Sequence, residues 1–471
     1  MKTDDYEIGM VGLGVMGRNL LLNMADHGYS VVGYDKDAAQ VAALRQEAEH
    51  RDIRGTKTLA EFIGRLRVPR AVIMLVPAGA PVDAVIRELL PCLGRGDLIV
   101  DGGNSHFTDT GLRAKMLEGR GIQFLGVGIS GGERGARHGP SIMLGGSREA
   151  YERVRPIFEA IAALVDDEPC VAWLGPNPAG HYVKMVHNGV EYGLMRLIAE
   201  TYDLMKRGLG LTDDELGEVY DAWNRGDLNS YLIEITAQIF RRSDEKTGRR
   251  LIDLIRDEAR QKGTGRWTSQ DAMDLQVPLP TVDAAVAMRN LSAWKDEREA
   301  ASNAFARPIP SFCGKRDAFL LQLRDAFHAA TILTYAQAMA QLRKASEAYS
   351  YDLNLETIAR IWRGGCIIRA KLLDSIRTAY HAKPDLPNLL LDAALGKAVM
   401  ARQDNLRAVV CAAAEWGIAI PALMASLGYF DAYRSAWMPA NLIQAQRDFF
   451  GSHTYERVDA KGVFHTQWIL E

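Results

Sequence analysis

The sequence predicts an α/β layer built on a doubly wound parallel sheet, then a large all-α region with an internal duplication, then a C-terminal arm. Three observations predict it. Residues 7–37, EIGMVGLGVMGRNLLLNMADHGYSVVGYDKD, read as strand, glycine turn, amphipathic helix, second strand and an acidic residue at that strand's end. From about residue 178 to residue 434 strand periodicity is almost absent and helical periodicity replaces it. Within that stretch DDELGEVYDAWNRG and DLNLETIARIWRGG repeat one pattern at an offset of 139 residues, aligning Trp223 with Trp362, Gly226 with Gly365, Leu216 with Leu355 and Val219 with Ile358.

The first βαβ unit continues through apolar strands at 71–76 and 98–103, separated by the helix-like PVDAVIRELLPCL, and GIQFLGVGIS and SIMLGG add two further strands. The turn-rich LGPNPAG, 174–180, ends the strand pattern, so the expected domains are 1–177, 178–434 and an arm at 435–471. Helices are expected at LMRLIAETYDLMKRG, SYLIEITAQIFRR, AFHAATILTYAQAMAQLRKASEAY and LGKAVMARQDNLRAVVCAAAEWG. In the arm, Phe449, Phe450, Tyr455, Phe464 and Trp468 are too apolar for a free tail and predict burial against a second subunit.

Of 471 residues 48% are hydrophobic and 24% charged, the balance of a globular protein with a substantial core. A net charge of −3 gives no general attraction for nucleic acid or an anionic membrane, so an anionic ligand must be held by local basic groups. No run of about 18 apolar residues predicts a membrane span, and MKTDDYEIGM has no signal-peptide pattern. The five cysteines, Cys92, Cys170, Cys313, Cys366 and Cys411, lack paired spacing, which predicts buried thiols in a reducing cytoplasm. No histidine pair stands at metal-ligand spacing, so no metal is expected.

Gly12, Gly14 and Gly17 follow a strand and open a helix, the context in which G-x-G-x-x-G turns tightly and admits a pyrophosphate; the rival reading is a turn without a ligand. This makes the α/β layer Rossmann-type. The candidate cofactor contacts are Gly12, Leu13, Gly14, Val15, Met16, Gly17, Asp35, Lys36, Asn104 and the strand end Val76, Pro77 and Ala78. Asp35 is placed to accept from an adenine-ribose diol and favours NAD, whereas Lys36 leaves NADP open. Asn104, in DGGNS, stands at the sheet edge where such folds bind ligands, a position a turn-forming asparagine also fills.

In HYVKMVHNGVEYG, residues 181–193, Lys184, His187, Asn188 and Glu191 fall on one helix face. The first and last stand about 10 Å apart along the axis, a span that addresses two ends of a small polar substrate. A solvated face is the alternative, but the duplicated copy carries Leu323, Ala326, Phe327 and Ala330 at the same offset, so the architecture alone does not require a polar stripe. Ser130, Gly131 and Gly132 offer a hydroxyl and successive N–H groups to a carboxylate. QKGTGRWT offers Lys262 and Thr264 beside Gly263 and Gly265 to a phosphate, without the pattern of a triphosphate loop. Gly128, Ser130 and Gly132 also satisfy the bare G-x-S-x-G pattern, but GERGARHG does not read as a helix start, so no nucleophile elbow is expected. Arg289, Arg447 and His453 are unremarkable in isolation.

In order, GLGVMGRNLLLNMADHGY, DGGNS, GVGISGGERGAR, KMVHNGVEY, QKGTGRWT and AQRDFFGSHTYER resemble the decarboxylating, long-chain 6-phosphogluconate dehydrogenases, over almost the whole chain. Two departures stand out: Asp35-Lys36-Asp37 replaces the Asn-Arg-Thr usual in NADP-using members, and Arg134 stands where a glutamate is common. The resemblance implies oxidative decarboxylation of 6-phosphogluconate to ribulose 5-phosphate, a step of the pentose phosphate pathway, with reduction of NAD or NADP. It implies Lys184 and Glu191 as the catalytic pair, and Ser130, Gly131, Gly132, His187 and Asn188 at the carboxylate end of the substrate, with Asn104 nearby. Tyr192, Lys262, Thr264 and Arg289 are implied at its phosphate end, with Arg447 and His453 supplied by the arm of a partner subunit in a homodimer. Two other readings stay open: another β-hydroxyacid dehydrogenase, which would not need the phosphate anchors, and a dinucleotide-binding regulatory protein without turnover.

Overall fold

The structure, a computed structural model, describes residues 5–176 and 178–469. The first four residues of the MKTDDYEIGM start, Asn177 at the expected domain boundary, and Leu470 and Glu471 lie outside the described residues. The chain packs as two compact units, Met1–Ser426 and Leu427–Glu471.

The first unit opens on an alternation of strands β1 Ile8–Val11, β2 Val31–Tyr34, β3 Ile53–Thr56, β4 Ala71–Met74, β5 Leu98–Asp101, β6 Gln123–Ser130 and β7 Ser141–Gly146 with helices α1 Val15–Asp26, α2 Ala38–Ala48, α3 Leu59–Gly64, α4 Ala80–Leu89, α5 Phe107–Glu118, α6 Gly132–His138 and α7 Arg148–Ile161. A small hairpin, β8 Leu164–Val165 and β9 Glu168–Pro169, precedes β10 Val171–Trp173. The main sheet runs β10-β7-β6-β5-β4-β1-β2-β3, with β1 to β6 parallel, β7 antiparallel to β6, and β10 parallel to β7. The order places the topological switch between β1 and β4, where such sheets bind ligands. Successive side chains serve opposite faces: Ile8, Met10, Ile73 and Val100 enter one buried cluster, and Val11, Val72, Met74 and Ile99 the other. Alternating burial on both faces explains why these strands read as continuous apolar runs.

The remaining helices are α8 Ala179–Asp203, α9 Asp213–Asn224, α10 Tyr231–Arg241, α11 Thr264–Asp274, α12 Pro280–Ser292, α13 Lys295–Ala304, α14 Arg316–Tyr349, α15 Leu355–Trp362, α16 Leu372–Ala382, α17 Ala393–Met400, α18 Gln403–Trp416, α19 Pro421–Tyr433 and α20 Ala440–Gly451. Between α8 and α19 the described residues form no strand beyond isolated bridges, as the periodicity predicts. The duplication extends past the two segments that reveal it: α8, α9, α10 and α11 recur as α14, α15, α16 and α18. Trp223 and Trp362, the aligned pair, are both buried, and Leu323, Ala326, Phe327 and Ala330 lie wholly inside the core. In the second unit α20 and the hairpin β11 Tyr455–Glu456 with β12 Val463–Phe464 gather around Asp448. Its buried carboxylate accepts from the Thr454 and Thr466 N–H groups, His465 Nδ1 and Trp468 Nε1 at 2.9–3.0 Å.

Several expectations need correction. GERGARHG does start a helix, α6, despite its glycines: Gly131, at φ +123°, and Gly132, at φ +61°, provide the backbone turn that propensity alone argues against. Cys92, Cys313 and Cys411 are exposed, so only Cys170 and Cys366 fit the reading of buried thiols. LGKAVMARQDNLRAVVCAAAEWG forms two helices, α17 and α18, rather than one. Two strands go unannounced in the sequence: β3, Ile-Arg-Gly-Thr, because Arg54 and Gly55 interrupt any apolar run, and β10 because it has only three residues. Among the described residues no helix is long and apolar enough to cross a membrane.

Candidate active site

The glycine turn between β1 and α1 is built for close approach. A Cβ on Gly12, at φ +98°, would fall 2.4 Å from Leu75 O, and one on Gly17 2.0 Å from Gly12 O, so both positions demand glycine. A Cβ on Gly14 would meet no protein atom within 4 Å: the space above it is open, at the N-terminus of α1 where unpaired N–H groups favour a phosphate. Leu13 is buried while Val15 is exposed and Met16 partly so. Asp35, directly after β2, turns Oδ2 onto the Leu13 N–H at 2.7 Å and Oδ1 onto the Asp37 N–H at 2.9 Å. Gly12, Asp35, Lys36 and Val76 share one pocket, and Pro77 and Ala78 continue from Val76 as exposed residues. These residues fit a dinucleotide: an anion site, a ribose acceptor and a backbone opening stand along one sheet edge.

At the C-terminal end of β5, on the same edge of the sheet, Asp101 pins the DGGNS loop by accepting from Gly103 N–H at 3.1 Å and Ser105 Oγ at 2.6 Å, which leaves Asn104 exposed at the rim. α8 then lies directly on β6 and β7. A Cβ on Gly180 would come within 2.5 Å of Gly126 O, Gly145 N and Met143 O, and one on Gly128 within 2.3 Å of Lys184 Cβ. Backbone contact through these glycines brings the polar stripe into the protein: Lys184, His187 and Asn188 are buried and Glu191 is partly so. The solvated-face alternative therefore fails.

The Lys184 Nζ donates to Asn188 Oδ1 at 2.5 Å and lies 3.4 Å from His187 Nδ1, while His187 Nε2 is 3.2 Å from the buried Ser130 Oγ. The stripe and the SGG loop are thus one hydrogen-bonded cluster. Burial lowers the Lys184 pKa, against the opposing pull of Glu191 and Cys366. Burial also pushes His187 well below its ordinary value, reinforced by Lys184 and resisted by the Asn188 hydrogen bond, a bias toward the neutral ring. Burial raises Glu191, opposed by Lys184 and Arg289. An amine biased toward neutrality and an acid biased toward keeping its proton therefore share one face, a pairing suited to moving protons.

Further along, α11 presents its N-terminus beside Tyr192. Gly263 takes the left-handed conformation at φ +94°, Thr264 is the first helical residue, and a Cβ on Gly265 would lie 2.3 Å from the Tyr192 ring. The Arg289 guanidinium stacks 3.6 Å from the centre of that ring, and Lys262 is exposed at the same corner. Tyr192, Lys262, Thr264 and Arg289 are thereby gathered around one helix N-terminus. Arg447 and His453 belong to the second unit, both exposed, with Arg447 bonded to Gln444 Oε1 at 3.1 Å and the His453 ring against Phe450.

Comparison with known proteins accounts for nearly the whole chain. The protein-family model described as the NAD binding domain of 6-phosphogluconate dehydrogenase matches residues 7–175, and that of the 6-phosphogluconate dehydrogenase C-terminal domain matches residues 180–468. The chain belongs to the 6-phosphogluconate dehydrogenase family. It is 50% identical to the NADP(+)-dependent, decarboxylating 6-phosphogluconate dehydrogenase of Bacillus subtilis (strain 168), over 98% of this chain and 99% of that one. It is 52% identical to the decarboxylating enzyme of Synechococcus elongatus over the same shares. A solved Plasmodium falciparum 6-phosphogluconate dehydrogenase, described in its apo form and in complexes with NADP+ and with 6-phosphogluconate, is similar at a TM-score of 0.95 and 42% identity, over 98% of this chain and 100% of that one.

Within this family frame, the duplicated half supplies groups that sequence reading missed. The Trp362 ring meets His187 edge-on at 5.6 Å, and Gly365 O accepts the Ser141 N–H at 3.0 Å and backs onto Gly131, where a Cβ would fall 2.4 Å from it. Cys366, buried, adds its influence to Lys184. The repeated Trp and Gly signal marks these positions as alike, but nothing local says that the second copy folds under the SGG loop.

Proposed function

We propose that this chain catalyses the oxidative decarboxylation of 6-phosphogluconate to ribulose 5-phosphate and carbon dioxide with a nicotinamide dinucleotide. The observation that carries the reading is the buried Lys184–Asn188–His187–Ser130 cluster between the glycine-turn edge and the α11 terminus. Ser130, Gly131, Gly132, His187 and Asn188 hold the carboxylate and upper hydroxyls, with Asn104 at the rim. Tyr192, Lys262, Thr264 and Arg289 hold the phosphate through charge-assisted bonds and so fix the reactive carbons in place. The coenzyme, held by residues 12–17, Asp35, Lys36 and Val76 to Ala78, supplies the hydride acceptor.

Neutral Lys184 takes the proton of the C3 hydroxyl; burial favours the uncharged amine that this requires. Once protonated, Lys184 polarises the C3 carbonyl and stabilises the enediolate left as C1 departs as carbon dioxide, an electron sink that needs no metal. Glu191, biased toward its protonated form, then delivers a proton to C1 of the product. The divisions at residues 177 and 434 assign coenzyme, substrate and arm to successive parts of the chain. Arg447 and His453 complete the site of a partner subunit in a homodimer. The test is incubation with 6-phosphogluconate and either coenzyme: reduced nicotinamide and carbon dioxide are expected in equal amounts. Oxidation without gas would instead support another β-hydroxyacid dehydrogenase.

A further inference from the structure

Glu88, near the end of α4, takes no part in the site as described so far, yet it shares the pocket of Gly12, Asp35, Lys36 and Val76. Its Oε1 accepts from Lys36 Nζ at 2.6 Å. The cation that would meet a 2′-phosphate is thus already held by a carboxylate. The pair is largely open to solvent and is weak in itself, but releasing Lys36 would leave Glu88 in the pocket as a second anion beside Asp35. Two carboxylates and one ammonium among the lining residues leave one negative charge in excess.

Among the described residues that line the pocket, Lys36 is the only cation. Arg18, beside the glycine turn, is engaged by Leu13 O, Gln40 Oε1 and Glu47. Asp37 caps α2 by accepting the Ala39 N–H at 2.9 Å. Asp35 also has a hydrogen-bonding preference beyond its charge. A carboxylate accepts about four bonds, and one at each oxygen is taken by Leu13 and Asp37, so one remains at each oxygen for two hydroxyl donors. An adenine-ribose diol supplies two such donors; a 2′-phosphate replaces one of them with a dianion that donates nothing and adds repulsion.

We infer that Glu88 is a coenzyme-selectivity residue: it occupies Lys36 and, together with the Asp35 carboxylate, closes the 2′ side of the ribose pocket to phosphate, so that the chain uses NAD in preference to NADP. The inference rests on the reading of this pocket as the coenzyme site. Its test has two arms. Steady-state turnover per Michaelis constant is measured with NAD and NADP for the unaltered chain and Glu88→Gln, and the binding of 5′-ADP and 2′,5′-ADP is measured calorimetrically on both proteins without substrate. The unaltered chain is expected to favour NAD and 5′-ADP by at least about tenfold, and Glu88→Gln to move both ratios toward the phosphorylated partner by about fivefold or more. An unaltered chain that favours NADP and 2′,5′-ADP, or a Glu88→Gln protein whose ratios stay where they were, overturns the inference. Absence of turnover with both coenzymes counts against the proposed reaction instead, and the nucleotide-binding ratios still decide the role of Glu88.

Discussion

Lys184 shows how one position collects its chemistry from many parts of the chain. Its amine is buried by α8 lying on β6, bonded to Asn188, and shaded by Cys366 from the second copy. Replacing it by alanine is expected to lower turnover by at least roughly 10² while coenzyme binding is largely kept, as for loss of a general base. Unchanged turnover in a folded Lys184→Ala protein would remove it from the reaction. The pH dependence carries a definite sign. A general base works only when neutral, so activity is lost as pH falls through the Lys184 pKa, and burial sets that loss below the ordinary lysine value of 10.5. The raised Glu191 works in the opposite sense: as an acid it keeps its proton above 4.5, and its contribution fades as pH rises through its own pKa. A bell-shaped profile of turnover per Michaelis constant is therefore expected, its limbs belonging to the coupled pair. A profile flat from acid to alkaline pH would contradict the assignment.

At the scale of elements, the site depends on helix-to-strand distances that only glycine permits. Gly128→Ala would set a Cβ 2.3 Å from Lys184 Cβ and push α8 away from β6. Overpacking of this kind costs about 1–3 kcal/mol, so the variant is expected to unfold at lower temperature and to lose turnover more than coenzyme affinity. Calorimetry and kinetics that match the unaltered chain would show that α8 tolerates a looser seat. These elements also mark what the sequence discloses. The βαβ unit and the helix carrying Lys184 through Glu191 announce themselves because their signals are local: glycine spacing, apolar period and a polar stripe. α6 stays hidden because its glycines speak against a helix, while Gly131 is needed where Gly365 O leaves no room for a side chain. Trp362 and Cys366 stay hidden as site neighbours because a contact between residues about 180 apart leaves no periodic trace. Glu88 is missed for the same reason: its meeting with Lys36 joins β2 to the far end of α4.

For the whole molecule, the arm stands out for a group of exposed apolar side chains on one helix. Leu442, Ile443, Phe449 and Phe450 on α20 are each more than half exposed, although Asp448 ties α20 firmly to the hairpin behind it. A rigid piece with an apolar face is the form expected of an arm that docks on a partner subunit. Truncation after residue 435 is accordingly expected to abolish activity and to weaken dimerisation, read by light scattering beside kinetics. An active dimer lacking the arm would refute its place in the proposal. The central claim is that one site both oxidises a sugar acid and releases its first carbon, and 6-phosphogluconate labelled with carbon-13 at C1 tests it most directly. The account predicts that the label leaves as carbon dioxide in step with coenzyme reduction, and that Lys184→Ala stops both. Coenzyme reduction with the label retained in the organic product would contradict it.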